Sequence, residues 1–75
     1  MRPTTLPAFV VLGVTFRAYA TADGYLWRSD CGRLRAWRTG SRFEASCDGA
    51  ACGGRPRTLA DAMSIAVLRQ RRQAA

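Results

Sequence analysis

The chain has no histidine, no lysine and only one glutamate, so it lacks most side chains that carry acid–base and metal chemistry. Histidine is the commonest general base and metal ligand near neutral pH, and without it a serine or cysteine nucleophile has no ordinary activating partner. The few aspartates show no spacing typical of a catalytic carboxylate pair. We therefore expect a protein that is not an enzyme and that holds no cofactor.

Long apolar runs are also missing. The longest one, residues 8–16, covers about half the roughly 20 residues that a membrane-spanning helix needs. A secretory signal is a poor match, because Pro7 and Gly13 interrupt the first twenty residues and Arg17 precedes the small residues of the supposed cleavage site. We expect a cytoplasmic protein without membrane contact.

Three cysteines are too few for the usual four-ligand zinc site, and only Asp48 could complete a set. We therefore predict no metal. In the sheet proposed below, Cys31 and Cys47 would lie two strand spacings apart, about 9.6 Å, which is beyond the roughly 7 Å that a disulfide tolerates. Cys52 is on a loop and could pair with either of them, so its state stays open; three reduced thiols are the default.

The basic residues are all arginine, and they give the 75-residue chain a net charge of +7. Guanidinium groups bind phosphates and carboxylates in a bidentate fashion and stack on aromatic rings, which favours nucleic acid or an acidic protein surface as a partner. A GC-rich genome would also favour arginine over lysine, so the absence of lysine alone decides nothing. Hydrophobic residues make up 48% of the chain, enough for one folded domain but not for a deep catalytic cleft.

Apolar and polar residues alternate with period two between residues 14 and 47, which predicts strands at 14–21, 25–31, 33–38 and 42–47. Turn signals separate them at Ala22-Asp23-Gly24, at Gly32 and at Thr39-Gly40-Ser41. Residues 48–57 are predicted to form a loop that is rich in glycine and alanine and contains Cys52, and the helical period begins at 58 and continues to 72. We predict a single α+β domain, an antiparallel three- to four-stranded meander packed on one C-terminal helix, with an apolar segment at 1–12.

Thr58 is a good N-cap for the helix, with Asp61 three residues later. The apolar stripe of the helix would cover the sheet, and two of its residues, Ile65 and Leu68, lie off that stripe. Either the N-terminal apolar segment or a second copy of the chain would cover them. We favour the segment. For the oligomeric state we expect a monomer or a homodimer.

Alternation assigns the strand residues to two faces. Phe16, Leu34 and Ala36 would face the helix, and so would Trp27, whereas the opposite face interleaves arginines with Tyr19 and Trp37. The candidate contacts for nucleic acid or another partner, including two arginines of the loop, are Arg17, Tyr19, Arg28, Arg33, Arg35, Trp37, Arg42, Arg55 and Arg57. The face of Arg28 is ambiguous from sequence. Guanidinium and aromatic groups together suit phosphates and stacked bases or sugars.

Four segments carry a resemblance to a known architecture: Gly24-Tyr25-Leu26-Trp27-Arg28, Arg33-Leu34-Arg35-Ala36-Trp37-Arg38, Phe43-Glu44-Ala45 and Thr58-Leu59-Ala60-Asp61-Ala62. Between residues 14 and 70 the chain resembles the arm-type DNA-binding domains of tyrosine integrases and the plant ethylene-response-type domains. In those families one helix backs a three-stranded sheet whose exposed face enters the major groove. The resemblance implies that the base-reading residues are Arg28, Arg33, Arg35, Trp37 and Arg42.

The chain lacks the core-binding and catalytic domains that accompany arm-type domains, and in this respect it looks like a phage or mobile-element accessory protein. That class includes excision factors and anti-CRISPR inhibitors. The leading interpretation is a small nucleic-acid-binding module, with duplex DNA as the foremost ligand. The alternative is an anti-CRISPR-type inhibitor that binds a host nucleoprotein complex and blocks its nucleic-acid site.

Overall fold

The computed structural model describes residues 1–74, and within them it has seven strands and one helix. The elements are β1 (Arg2–Pro3), β2 (Phe9–Val11), β3 (Val14–Thr21), β4 (Gly24–Ser29), β5 (Leu34–Thr39), β6 (Arg42–Cys47), β7 (Ala50–Ala51) and α1 (Leu59–Ala74). The predicted α+β class is confirmed. The sheet has more strands than the predicted meander, because residues 1–12 and 48–57 each contribute short strands.

The strands form one antiparallel sheet in the order β1-β3-β4-β5-β6-β7, and β2 pairs with the other half of β3. Two-residue turns make most of the connections. The turns Leu12-Gly13 and Asp48-Gly49 have positive φ at both positions, 51° and 81° in the first and 52° and 84° in the second. This is the type I′ geometry, whose twist matches that of the flanking strands.

The outer edge of β3 is covered in three pieces. β1 pairs with Tyr19 and Ala20, and β2 pairs with residues 14–16. Between them, the Thr4 hydroxyl donates a hydrogen bond of 3.0 Å to the carbonyl oxygen of Ala18. The N-terminal segment thus supplies partners along nearly the whole strand.

The core lies between the sheet and α1, and the helix packs on β5, β6 and β2. Phe16, Leu34 and Met63 are its largest fully buried side chains. Burying such a side chain contributes about 1.5–3 kcal/mol. The small residues of the interface allow the helix to lie close to the sheet: Ala36, Ala45, Ala62 and Ala66.

β2 of the N-terminal segment contacts α1 and Val11 enters the core, but the prediction that this segment covers both Ile65 and Leu68 is wrong for Leu68. Ile65 is half-buried, and a Cβ built on Gly54 would lie 3.3 Å from its Cδ1 atom, so the loop before the helix covers part of it. Leu68 stays 51% exposed. Among residues 1–74, no helix has the length and hydropathy needed to cross a bilayer.

The connection between β4 and β5 differs from its prediction. β4 ends at Ser29 and β5 begins at Leu34, so Cys31 and Arg33 lie in a turn and not in strands. The turn is closed by a hydrogen bond of 2.8 Å from Gly32 N–H to the Ser29 carbonyl oxygen. The buried Ser29 hydroxyl accepts a further bond of 3.1 Å from the Leu34 N–H, which fixes the start of β5.

Candidate nucleic-acid interface

The sheet face opposite α1 is the candidate site, and we call it the open face. Its side chains follow from the strand register and form two cross-strand rows. The first row consists of Arg17, Arg28, Arg35 and Ser46, and the second of Tyr19, Leu26, Trp37 and Glu44. Arg42 extends the face at the turn end of β6, where it pairs with Thr39.

Three arginines stand directly opposite one another in the first row. Arg17 pairs with Arg28, and Arg28 pairs with Arg35, on three adjacent strands. With strands about 4.8 Å apart, the three arginines span roughly 10 Å. Like charges at directly opposed positions destabilise a sheet, so this row has a local electrostatic cost.

Neighbouring groups offset part of that repulsion. Arg17 Nε lies 3.0 Å from an Asp30 carboxylate oxygen, although both side chains are more than half exposed and the pair is weak. The Cζ atom of Arg28 lies 4.9 Å from the centroid of the Tyr19 ring, a cation–π contact. The described residues give Arg35 no salt bridge and no side-chain hydrogen bond, so its guanidinium is free to bind an anion.

A cavity of about 750 Å³ opens beside Arg35 on this face. Trp37, which is half-buried, lines it together with Leu26 and Ser46. Turn residues of the two adjacent hairpins, Asp23 and Gly40 among them, form its rim. The cavity therefore places an aromatic surface next to an unpaired guanidinium.

Six of the nine predicted contact residues meet on or beside the open face: Arg17, Tyr19, Arg28, Arg35, Trp37 and Arg42. The register places Arg28 there and removes the ambiguity of the sequence, because Tyr25, Trp27 and Ser29 take the helix side. Leu26 and Ser46 also belong to the site but were not proposed for it. Alternation could have found both, since each shares its strand face with a predicted residue.

Arg33 is predicted to contact a partner, but its guanidinium is paired within the protein. Its Nε and a terminal nitrogen donate hydrogen bonds of 2.6 and 2.7 Å to the two carboxylate oxygens of Asp48. These bonds, and secondarily the positive charge, hold the pKa of Asp48 below its usual value. Arg33 thus ties the β4–β5 turn to the β6–β7 turn, and its charge is largely engaged within the protein.

Arg55 and Arg57 are exposed on the segment between β7 and α1. This segment packs on the helix side of the sheet, where Pro56 is buried and Gly54 lies against Ile65. The structure therefore does not bring the two loop arginines to the open face. They are suitable control positions for charge removal.

All three cysteines are free thiols. Burial raises the pKa values of Cys47 and Cys52, whereas a hydrogen bond with the Ser29 hydroxyl lowers that of Cys31. Within residues 1–74, no group of three or more cysteine, aspartate or glutamate side chains is placed to hold a metal ion.

The open face is wide compared with a DNA groove. The first row runs from Arg17 to Ser46, and Ala51 of β7, which pairs with Ser46, continues its line by one more strand. Four strand spacings give roughly 19 Å, whereas the major groove of B-DNA is about 12 Å wide. β7, which is absent from the predicted meander, therefore widens the surface that a duplex would meet.

Comparison with known proteins adds no assignment. No protein-family model matches the chain, and neither the curated proteins nor the solved structures gave a significant match. The resemblance to arm-type and ethylene-response-type domains stays a prediction.

Proposed function

We propose that this chain is a non-enzymatic module that binds nucleic acid through the open face. The observation that carries the proposal is the row Arg17-Arg28-Arg35 beside Trp37, with Arg35 unpaired within the described chain. An anionic phosphate placed against the row would relieve the repulsion among the guanidiniums and gain charge-assisted hydrogen bonds. Trp37 and Tyr19 supply surfaces on which sugars or bases can pack.

Duplex DNA remains the first ligand to test, on the strength of the resemblance to sheet-based DNA-binding domains. Because the open face is wider than the major groove, we propose that it contacts phosphates on both sides of the groove without complete insertion. Such binding is driven mainly by charge and is only weakly selective for sequence. Bound in this way, the protein acts in the cytoplasm of its host cell as a monomer or homodimer.

The test is fluorescence anisotropy of a labelled duplex with the wild type, Arg35→Ala and Trp37→Ala. A charge-assisted hydrogen bond contributes about 1.5 kcal/mol or more, so Arg35→Ala is expected to weaken binding roughly tenfold or more. Arg57→Ala is the matched control, because it removes the same charge from the helix side. Equal affinities for the wild type, Arg35→Ala and Trp37→Ala would refute the proposal.

A second candidate function has one specific observation in its favour. The N-terminal segment exposes apolar side chains that a nucleic acid would not need, with Leu6 at 42%, Val10 at 63% and Leu12 at 46% exposure. Three exposed apolar side chains within seven residues of the chain favour a surface that binds another protein. Together with the net charge of +7, they suit an anti-CRISPR-type inhibitor that occupies the nucleic-acid site of a host nucleoprotein complex.

Size-exclusion chromatography with a purified host nucleoprotein complex distinguishes this second candidate. A stoichiometric complex that forms despite weak binding to free DNA would support the inhibitor. Replacing Val10 with serine is then expected to weaken the complex without changing DNA affinity. Tight DNA binding in the absence of any such complex would reject the inhibitor.

A further inference from the structure

A second cavity, of about 530 Å³, lies on the helix side of the sheet and has no role in the function proposed above. Its walls carry three aromatic residues, Tyr25, Trp27 and Phe43, and two charged ones, Asp23 and Arg38. These five residues define what we call the aromatic pocket. The pocket exists because α1 begins at Leu59, which lines one side of it, and packs on β5, β6 and β2 without covering the turn ends of the hairpins.

The strand register explains how the aromatic side chains converge. Tyr25 and Trp27 are two residues apart on β4 and point to the same face. Phe43 lies on β6, directly opposite Arg38 of β5. Because β5 runs between β4 and β6, Arg38 stands between the two aromatic walls.

Trp27 and Arg38 are held in place by their neighbours. The cross-strand partners of Trp27 are Ala18 and Ala36, whose small side chains leave space around the indole. Phe9 meets the indole edge-to-face at a centroid distance of 6.3 Å. Arg38 Nε donates a hydrogen bond of 2.8 Å to the Gly40 carbonyl oxygen, so its terminal nitrogens are the groups left for a ligand.

The chemistry of the aromatic pocket favours a planar ring with polar edges. Aromatic walls provide stacking surfaces, the Asp23 carboxylate accepts hydrogen bonds and the Arg38 guanidinium donates them. A quaternary ammonium ligand would be repelled by Arg38, and a purely apolar ligand would strip water from both charged groups without replacing it. A nucleobase offers stacking, donors and acceptors together, and its phosphate adds a partner for Arg38.

The two cavities also share lining residues. Four residues line both cavities: Asp23, Tyr25, Arg38 and Gly40. The open face and the aromatic pocket therefore lie on opposite sides of one sheet, with the hairpin turns between them. A strand whose phosphates lie on the open face can pass around these turns. We propose that the aromatic pocket receives one unpaired nucleobase of a nucleic acid held by the open face, which makes a duplex with a single-stranded end the preferred ligand. The part of this inference that concerns the rest of the strand rests on the function proposed above.

The first experiment uses adenosine 5′-monophosphate and follows the indole N–H signals of the isotope-labelled protein by NMR. We expect the Trp27 signal to shift while the Trp37 signal moves little. Tyr25 is 52% exposed, so Tyr25→Ala should fold normally and lose the shift, whereas Tyr25→Phe keeps the ring and should retain it. An equal shift with ribose 5-phosphate, or with N-acetyl-tryptophanamide, would show recognition of a sugar phosphate or of a protein side chain and would overturn the inference.

The second experiment compares a blunt duplex with the same duplex carrying a short single-stranded overhang. Base–aromatic stacking contributes about 1–3 kcal/mol, so the overhang should improve wild-type affinity at least roughly fivefold. Tyr25→Ala should bind both duplexes equally, and Arg35→Ala should weaken both while retaining the overhang preference. If the two duplexes bind equally to the wild type, the inference fails and the proposed function stands. If neither duplex binds but the mononucleotide still shifts Trp27, the proposed function fails and the base-binding pocket stands.

Discussion

Leu12 holds a backbone conformation that is unfavourable for a leucine. Its φ of 51° is in the left-handed region, at the first central position of the type I′ turn that joins β2 to β3. Asparagine suits this position, and the left-handed conformation costs a residue such as leucine about 1–2 kcal/mol. Leu12→Asn is therefore expected to stabilise the fold by about 1 kcal/mol and to raise Tm by about 4–8 °C.

Thermal unfolding followed by circular dichroism measures this change. The hydrogen bond of 2.6 Å from Arg71 to the Leu12 carbonyl oxygen involves the backbone and survives the substitution. A lower Tm in Leu12→Asn would mean that contacts of the leucine side chain outweigh its backbone strain.

Asp48 makes stability depend on pH in acid. Hydrogen bonds from Arg33 hold its pKa in the folded state below the unfolded value, which is near 4. The stabilisation is therefore fully present above about pH 4 and is lost as the pH falls through the folded pKa. We expect the difference in unfolding free energy between the wild type and Asp48→Asn to be constant from pH 6 to about pH 5 and to shrink as the pH falls from about 4 to 2.

Urea denaturation across that pH range checks the Asp48 prediction. Asparagine tolerates the φ of 52° at position 48, so the substitution removes the charge of Asp48 without disturbing the backbone of the turn. A difference that is independent of pH would show that the negative charge of Asp48 does not contribute to stability.

At the level of elements, α1 depends on its N-terminal cap. The Thr58 hydroxyl accepts a hydrogen bond of 3.1 Å from the Asp61 N–H, as the sequence predicted. Losing such a cap costs about 1 kcal/mol. Thr58→Ala should therefore lower Tm by about 4–8 °C, and Thr58→Ser, which keeps the hydroxyl, should stay near the wild type. Equal melting of both variants would mean that packing alone holds the start of the helix.

The long elements could be predicted and the short ones could not. The predicted bounds of the first and fourth strands match β3 and β6, because eight and six residues of alternation leave little choice of register. β1 and β7 have two residues each and β2 has three, too few to show a period. These strands form because the edges of β3 and β6 offer hydrogen-bonding partners, which is a tertiary cause.

The candidate site was likewise predictable only in part. Arg35, Trp37 and Arg42 could be assigned to one face by counting along a strand. Arg33 and Asp48 are 15 residues apart in the sequence, and their pairing joins two turns. No local sequence pattern indicates this pairing. The aromatic pocket was also beyond prediction, because it depends on how much of the sheet the helix leaves uncovered.

For the molecule as a whole, the number of arginines on the open face predicts how strongly salt weakens binding to duplex DNA. Four arginines, Arg17, Arg28, Arg35 and Arg42, belong to the open face. If each neutralises one phosphate, the log–log slope of duplex affinity against salt concentration is about −3.6. Arg35→Ala should reduce its magnitude by about 1, and Arg57→Ala should leave it unchanged. A slope near zero would show that the +7 charge serves a partner other than nucleic acid.

Three short pieces of chain cover the outer edge of β3, and this arrangement affects how the protein behaves in concentrated solution. An uncovered strand of eight alternating residues, Val14–Thr21, would be a template on which another chain could add its own strand, and repeated addition leads to fibrils. With β1, the Thr4 hydroxyl and β2 along that edge, an incoming chain meets pieces only two or three residues long. At the opposite margin β7 is equally short. The proline in β1 further interrupts hydrogen bonding there, so the fold resists ordered aggregation while its broad arginine face stays accessible.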